Sequence, residues 1–241
     1  MGGRHRPSAG LSVRVAVAQP RTVLGDLSGN VAAHAAAVDR AAADLVVFPE
    51  MSLSGYAMDA QVVARDDPRL LPLREACRRT GAIALAGAPV HTGSGGRSIG
   101  VLAVTGDGVA VAYVKMSLGE VESRHFEPGR GPASLEVRGL RVGIGVCRDT
   151  RIDHHLDRTV ALGIDLYVAG LVHAADDLAE LDIRARRIAT AYGLPVAFAG
   201  FAGPTGGGFA RTCGGSGVWD SAGTVVRQLG SDPGAVASVE L

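Results

Sequence analysis

A thiol, a carboxylate and an amine each stand at the end of an apolar run in this sequence. Residues 142–151 read VGIGVCRDTR and deliver Cys147 into a cationic turn. Residues 44–50 read DLVVFPE and deliver Glu50, and residues 109–115 read VAVAYVK and deliver Lys115. A free thiol ionises near pH ~8.5, so its nucleophilic form needs help around neutrality. A carboxylate can take the thiol proton while the sulfur attacks a carbon bonded to nitrogen. An ammonium, with a backbone N–H, can stabilise the oxyanion that develops. The protonated carboxyl can then hand its proton to the departing amine and later activate water against the thioester. Singly, each residue has a plainer role. A strand-end cysteine is commonly a small buried hydrophobe, a glutamate after Phe48-Pro49 can end a strand in solvent, and a lysine after Tyr113 can snorkel from a sheet edge.

The elements that must position these groups alternate in kind. Short apolar runs rich in β-branched residues predict strands at 12–18, 45–48, 82–88, 98–105, 109–115, 135–137, 140–146, 165–169, 195–199, 216–220, 224–229 and 235–240. Helices are predicted at 30–43, 68–80, 153–162 and 175–192. Gly106-Asp107-Gly108, Arg138-Gly139 and Ser221-Ala222-Gly223 read as hairpin turns. Hairpins interrupting a helix–strand alternation imply a layered α/β protein with mixed sheets rather than a parallel barrel.

The chain has 241 residues, which suits one domain, expected at 11–241. The polar, Gly-rich residues 1–10 are expected to form a flexible leader. Lys plus Arg equals Asp plus Glu, at 24 each, so no electrostatic footprint for nucleic acid or an anionic membrane is present. No apolar run reaches the roughly 18 residues of a membrane span. Three cysteines without a CxxC pair fit a reducing compartment, and a cytoplasmic location is expected. No GxGxxG, Walker or HExxH pattern occurs, so no cofactor or metal is expected. His154 and His155 are expected to be solvated or capping residues, Cys77 a core residue, and Cys213 a more exposed one.

The three strand ends occur in an order that resembles the nitrilase superfamily of carbon–nitrogen hydrolases, amidase and carbamoylase-like branch. VRVAVAQP at the start, DLVVFPEMSLSGY, AYVKMSL, ESRHFEPG and GIGVCRDTR match that family's motifs in sequence order, and GIDLYVAG and GGSGVWDSAG resemble its later signatures. The resemblance implies an α-β-β-α sandwich with mixed β-sheets, forming four layers, that pairs into a homodimer or higher homo-oligomer. It implies Glu50 as general base, Lys115 as oxyanion-stabilising cation and Cys147 as nucleophile. Glu122 matches the additional glutamate, with Glu120 its rival, and the Arg148 N–H is the implied backbone donor to the oxyanion. Tyr56 and His173 are expected to border the substrate. Asp149 and Arg151, expected to form an ion pair shaping the turn, favour a small linear amide or N-carbamoyl compound over a nitrile.

The sequence departs from the family at Ser117, at Gly200 and at Ile152-Asp153-His154-His155. These departures keep a second reading open: a catalytically silent relative that binds a metabolite or protein. A third and weaker reading takes Gly96-Arg97-Ser98-Ile99-Gly100 as the GxSxG elbow of a serine hydrolase.

Overall fold

The structure is a computed structural model and describes residues 12–91 and 95–241. The expected leader, residues 1–10, lies outside the described residues. Twelve strands form two six-stranded sheets among the described residues. In the first, β1 (Arg14–Gln19), β2 (Leu45–Val47) and β3 (Ile83–His91) run parallel. Antiparallel β4 (Arg97–Val104) and β5 (Val109–Val114) extend one edge, and antiparallel β12 (Ala235–Glu240) the other. In the second, β7 (Leu140–Val146), β8 (Leu166–Leu171) and β9 (Val196–Gly200) are parallel. Antiparallel β6 (Ala133–Val137) flanks β7, and β10 (Gly217–Trp219) with β11 (Val225–Gln228) flanks β9. Helices α1 (Leu27–Ala41) and α2 (Leu71–Thr80) cover the first sheet; α3 (Asp153–Val160) and α4 (Leu178–Tyr192) cover the second.

The central strands are apolar through their middle positions because both faces are buried there. Val15, Val17, Leu45 and Val47 point inward and pack on Val142, Ile144, Val146 and Val168 of the facing sheet. The alternate residues Ala16, Ala18, Val46, Ala84 and Ala86 meet Val31, Ala35, Val38 and Leu73 of the helices. Small alanines on that face let the helices lie close. On the other side Leu181, Ala185 and Ile188 of α4 pack on Tyr167, Phe198 and Trp219. The result is helices, sheet, sheet, helices, the four layers expected.

The predicted helix at 30–43 begins earlier than its alanine run suggests. The Asp26 side chain accepts from the Gly29 N–H at 2.9 Å and caps a helix that starts at Leu27. Asn30 is buried within that helix, where its side chain ties Val23 to the carbonyl of Leu53.

Two glycines position the turn that follows β2. A Cβ on Gly87 of β3 would stand 2.3 Å from the Met51 nitrogen and 2.5 Å from the Pro49 oxygen. A Cβ on Gly170 of β8 would stand 2.6 Å from the Phe48 oxygen and 2.8 Å from the Glu50 nitrogen. The backbone of 48–51 is therefore pinched between the two sheets, and only a missing side chain on each permits it. Gly170→Ala is expected to lower stability by about 1–3 kcal/mol, the usual cost of overpacking a close-packed site. A thermal melt reads this directly, and an unchanged melting temperature would refute the clamp.

Candidate active site

All three sequence-predicted groups emerge at one end of the molecule. Strands β2, β7 and β8 are parallel members of their sheets, and their C-terminal ends meet where Gly170 abuts the Glu50 turn. Strand β5 lies two antiparallel steps from β3, so it runs in the same direction as β2 and delivers Lys115 to the same end. The Lys115 N–H donates to the Ile99 carbonyl at 2.9 Å, and the Gly129 N–H donates to the Lys115 carbonyl at 2.8 Å.

Lys115 Nζ donates to Glu50 Oε1 at 2.7 Å and to Glu122 Oε1 at 2.6 Å. Glu50 and Lys115 are each only 1% exposed. Glu122 Oε1 also accepts from the Tyr56 hydroxyl at 2.6 Å, and its Oε2 from the Gly119 N–H at 2.7 Å. Glu122 thus has its acceptors filled, whereas Glu50 Oε2 is buried with no hydrogen-bond partner among the described residues. Glu120 points away: it is exposed and pairs with Arg124. Of the two rival glutamates, the structure brings Glu122 to Lys115.

Electrostatics separates the two buried carboxyls. Burial lifts Glu50 to a pKa of about 7, opposed by the Lys115 charge and reinforced by Glu122. Burial also penalises Glu122, but Lys115, Tyr56 and the Gly119 N–H together hold it below the ordinary carboxylate range. Burial works to discharge Lys115, yet Glu50, Cys147 and Glu122 outweigh it and keep its pKa above the usual lysine value. The Cys147 thiol is pushed up to about 12, first by burial and then by the Glu50 charge. The resting sulfur is therefore a thiol, and a base must take its proton during reaction.

Cys147 opens a short 3-10 turn, Cys147–Arg151, directly after β7. Its φ is +39°, a left-handed conformation that costs a non-glycine residue roughly 1–3 kcal/mol. Several bonds hold it there. Thr150 Oγ1 donates to the Cys147 carbonyl at 2.6 Å, and Cys147 Sγ lies 3.6 Å from the Val172 oxygen. Arg184 of α4 donates to Thr150 Oγ1 at 3.2 Å. The Arg148 side chain is exposed.

Asp149 corrects an expectation. It is not paired with Arg151, which is about half exposed and reaches Glu180 at 3.5 Å. Buried Asp149 accepts instead from the Val146 N–H at 3.1 Å, the Ser117 N–H at 2.8 Å and the Tyr113 hydroxyl at 2.8 Å. Tyr113 and Ser117 each lie two residues from Lys115, so Asp149 ties the lysine segment to the cysteine turn. His155 is likewise not solvated. It is buried between Tyr113 and Tyr167, whose hydroxyls lie 3.3 Å and 3.1 Å from its ring nitrogens, and burial lowers its pKa. Cys77 is in the core as expected, and Cys213 is buried rather than exposed.

Ser98 sits inside β4, fully buried, with its hydroxyl donating to the Glu127 carbonyl at 2.7 Å. A serine elbow requires a strand-to-helix turn, so the serine-hydrolase reading falls. His34 is a site-supporting residue the sequence did not betray. Its Nδ1 donates to the Asn30 carbonyl at 2.7 Å, which leaves Nε2 to accept from Ser52 Oγ at 2.8 Å. Ser52 belongs to the Glu50 loop, and the His34 ring lies 4.3 Å from that of Phe48. Burial takes its pKa to about 4, so it is neutral.

The carbon-nitrogen hydrolase family model matches residues 14–241, nearly the whole chain. The chain belongs to this family. An (R)-stereoselective amidase of Pseudomonas sp. is 34% identical over 130 residues, covering 52% of this chain and 47% of that protein. The chain thus spans about half the length of that relative. A mutant of the amidase from Nesterenkonia sp. AN1, carrying acrylamide added to its active-site cysteine, aligns at 26% identity with a TM-score of 0.83. The overlap covers 95% of this chain and 93% of that one. A carbon–nitrogen hydrolase superfamily protein of Xanthomonas campestris has the same fold, with a TM-score of 0.84 at 21% identity over 96% of this chain and 91% of its own. This chain is therefore a member of the nitrilase superfamily, with amidases among the proteins it resembles.

Proposed function

We propose that this carbon–nitrogen hydrolase cleaves small linear amides through a thioester on Cys147. The observation that carries the reading is the state of Glu50. One carboxylate oxygen is held by Lys115, the other is buried and makes no hydrogen bond to any fixed donor among the described residues, and the Cys147 thiol is close enough to act on the same carboxyl. A base with a pKa of about 7 is matched to work near neutrality.

In the proposed cycle Glu50 Oε2 takes the thiol proton as Sγ bonds to the amide carbon. The negative charge passes to the carbonyl oxygen, met by the Lys115 ammonium and the Arg148 N–H. Collapse of that intermediate breaks the carbon–nitrogen bond, and Glu50 gives its proton to the nitrogen, releasing ammonia. Water then attacks the thioester with Glu50 again as base, and the acid leaves as the thiol re-forms. Glu122, gripped by Tyr56 and Gly119, keeps Lys115 charged and aimed. Tyr56 and His173 border the acyl group.

The expected result is ammonia release from a panel of small amides, with an acyl-mass adduct on the Cys147 peptide after rapid acid quench. Ammonia release with no adduct at Cys147 would overturn the mechanism. The silent-relative reading has no observation in its favour, since none of the sequence departures displaces a member of the set.

A further inference from the structure

Outside the Glu50–Lys115–Glu122 set, Arg74, His173 and Arg184 each keep a buried nitrogen with no hydrogen-bond partner among the described residues, and of these only His173 has both of its ring nitrogens unpaired. His173 follows β8, is only 5% exposed, and neither of its ring nitrogens makes a hydrogen bond among the described residues. Buried polar side chains in native proteins are nearly always satisfied, because an unmade bond costs the full desolvation of the group. His173 is therefore built to meet something that binds.

Its location says what. The preceding residue, Val172, places its carbonyl 3.6 Å from Cys147 Sγ, so the His173 backbone directly follows a group in contact with the reacting sulfur. Arg184 stands in the same neighbourhood. Its charge acts on both Cys147 and His173, and its Nη1 holds the cysteine turn through Thr150. Its Nη2 is taken by Glu180 at 3.0 Å, but its Nε is buried and also unpartnered. Burial, aided by Arg184 and Arg151, takes His173 to a pKa of about 4. Asp177 and Glu180 pull the other way without prevailing. The neutral ring offers one N–H donor, and Arg184 Nε offers a second. Two buried donors beside a nucleophile suit an oxygen acceptor.

We propose that His173 and Arg184 form an acyl-side subsite selecting amides whose far end carries a carbonyl or carboxylate oxygen. This rests on the amidase reading and names its substrate class. A site built to bond such an oxygen discriminates strongly against an analogue lacking it, because the buried donors are then left unpaired.

The test compares succinamide and succinamate with 4-methylpentanamide, which has the same shape and no oxygen at its far end. Wild type is expected to favour one or both oxygen-bearing amides in kcat/KM. His173→Leu is expected to collapse that ratio about 10- to 100-fold, and His173→Gln, which keeps a donor and an acceptor, to restore part of it. Which of the two substrates is preferred distinguishes carboxylate from neutral carbonyl. Loss of activity with an unchanged ratio would show a structural role and overturn the proposal. Calorimetric binding of the same three compounds to the Cys147→Ala protein separates the two readings. Preferential binding without turnover in wild type would sink the amidase reading and keep the subsite. Equal binding of all three would leave His173 bonded to structural water only and overturn the subsite.

Discussion

Glu50→Gln is expected to cost about 10²–10⁴-fold in kcat, the usual contribution of a positioned general base, while leaving the protein at least as stable as wild type at pH 8. The two halves of this result have one cause. With all groups ionised, the site holds two buried carboxylates and one ammonium, an excess of one negative charge. Glutamine keeps the shape and the acceptor for Lys115, and leaves Lys115 and Glu122 as a neutral pair. The raised pKa of Glu50 fixes the pH window. A carboxyl at about 7 in the folded chain, against its usual 4.5, contributes fully below 4.5 and loses that contribution as pH rises through 7. Wild type is therefore expected to lose ground to Glu50→Gln between pH 4.5 and 7 in paired thermal melts. In the same window wild-type kcat/KM is expected to rise with pH, as the base deprotonates, and the variant's residual rate to lose that limb. A variant that melts far below wild type at pH 8, or one that keeps the pH limb, would refute the assignment of Glu50.

Much of this candidate site is legible in the sequence because its groups stand at strand ends. A strand's period and its terminal residue are local properties, so Glu50, Lys115 and Cys147 could be read from three short runs. The order of those runs then pointed to the fold. What local pattern could not carry is partnership across the two sheets. Asp149 was expected to bond its near neighbour Arg151. Its actual donors include Tyr113 and Ser117, 36 and 32 residues away, brought to it by the packing of the first sheet on the second. The Gly87 and Gly170 clamp is invisible for the same reason, since a glycine in an apolar strand gives no sign of what lies above it. His155 was expected in solvent because an adjacent His-His pair looks polar. Only the position of α3 over β7 shows that one of the two faces inward. The start of α1 was within reach: Asp26 followed by Gly29 is a capping signal that the stronger alanine run obscured.

Lys115→Met is expected to cut activity severely, as Glu50→Gln does, but to move stability in the opposite direction. Methionine is close in length, so the cavity cost is small, and the effect isolates the charge. Without the ammonium, Glu50 Oε1 and Glu122 Oε1 lose the donor they share, and two carboxylates face each other away from water. Breaking a buried ion pair by removing one partner costs roughly 3–5 kcal/mol. The protein can escape that cost only by taking up protons. Both carboxyls in the variant are expected to titrate above their unfolded values, so its stability is retained at low pH and lost as pH rises. Wild type differs because Glu122 sits below the ordinary range; its contribution is present at neutral pH and lost on acidification. Urea unfolding at pH 5 and pH 8 reads the difference, with the gap between the proteins expected to widen by several kcal/mol at the higher pH. Parallel behaviour at both values would mean that the lysine does not hold the two glutamates together. The proposed geometry of the oxyanion would then lose its anchor, because Glu122 reaches the reaction through its hydrogen bond to Lys115.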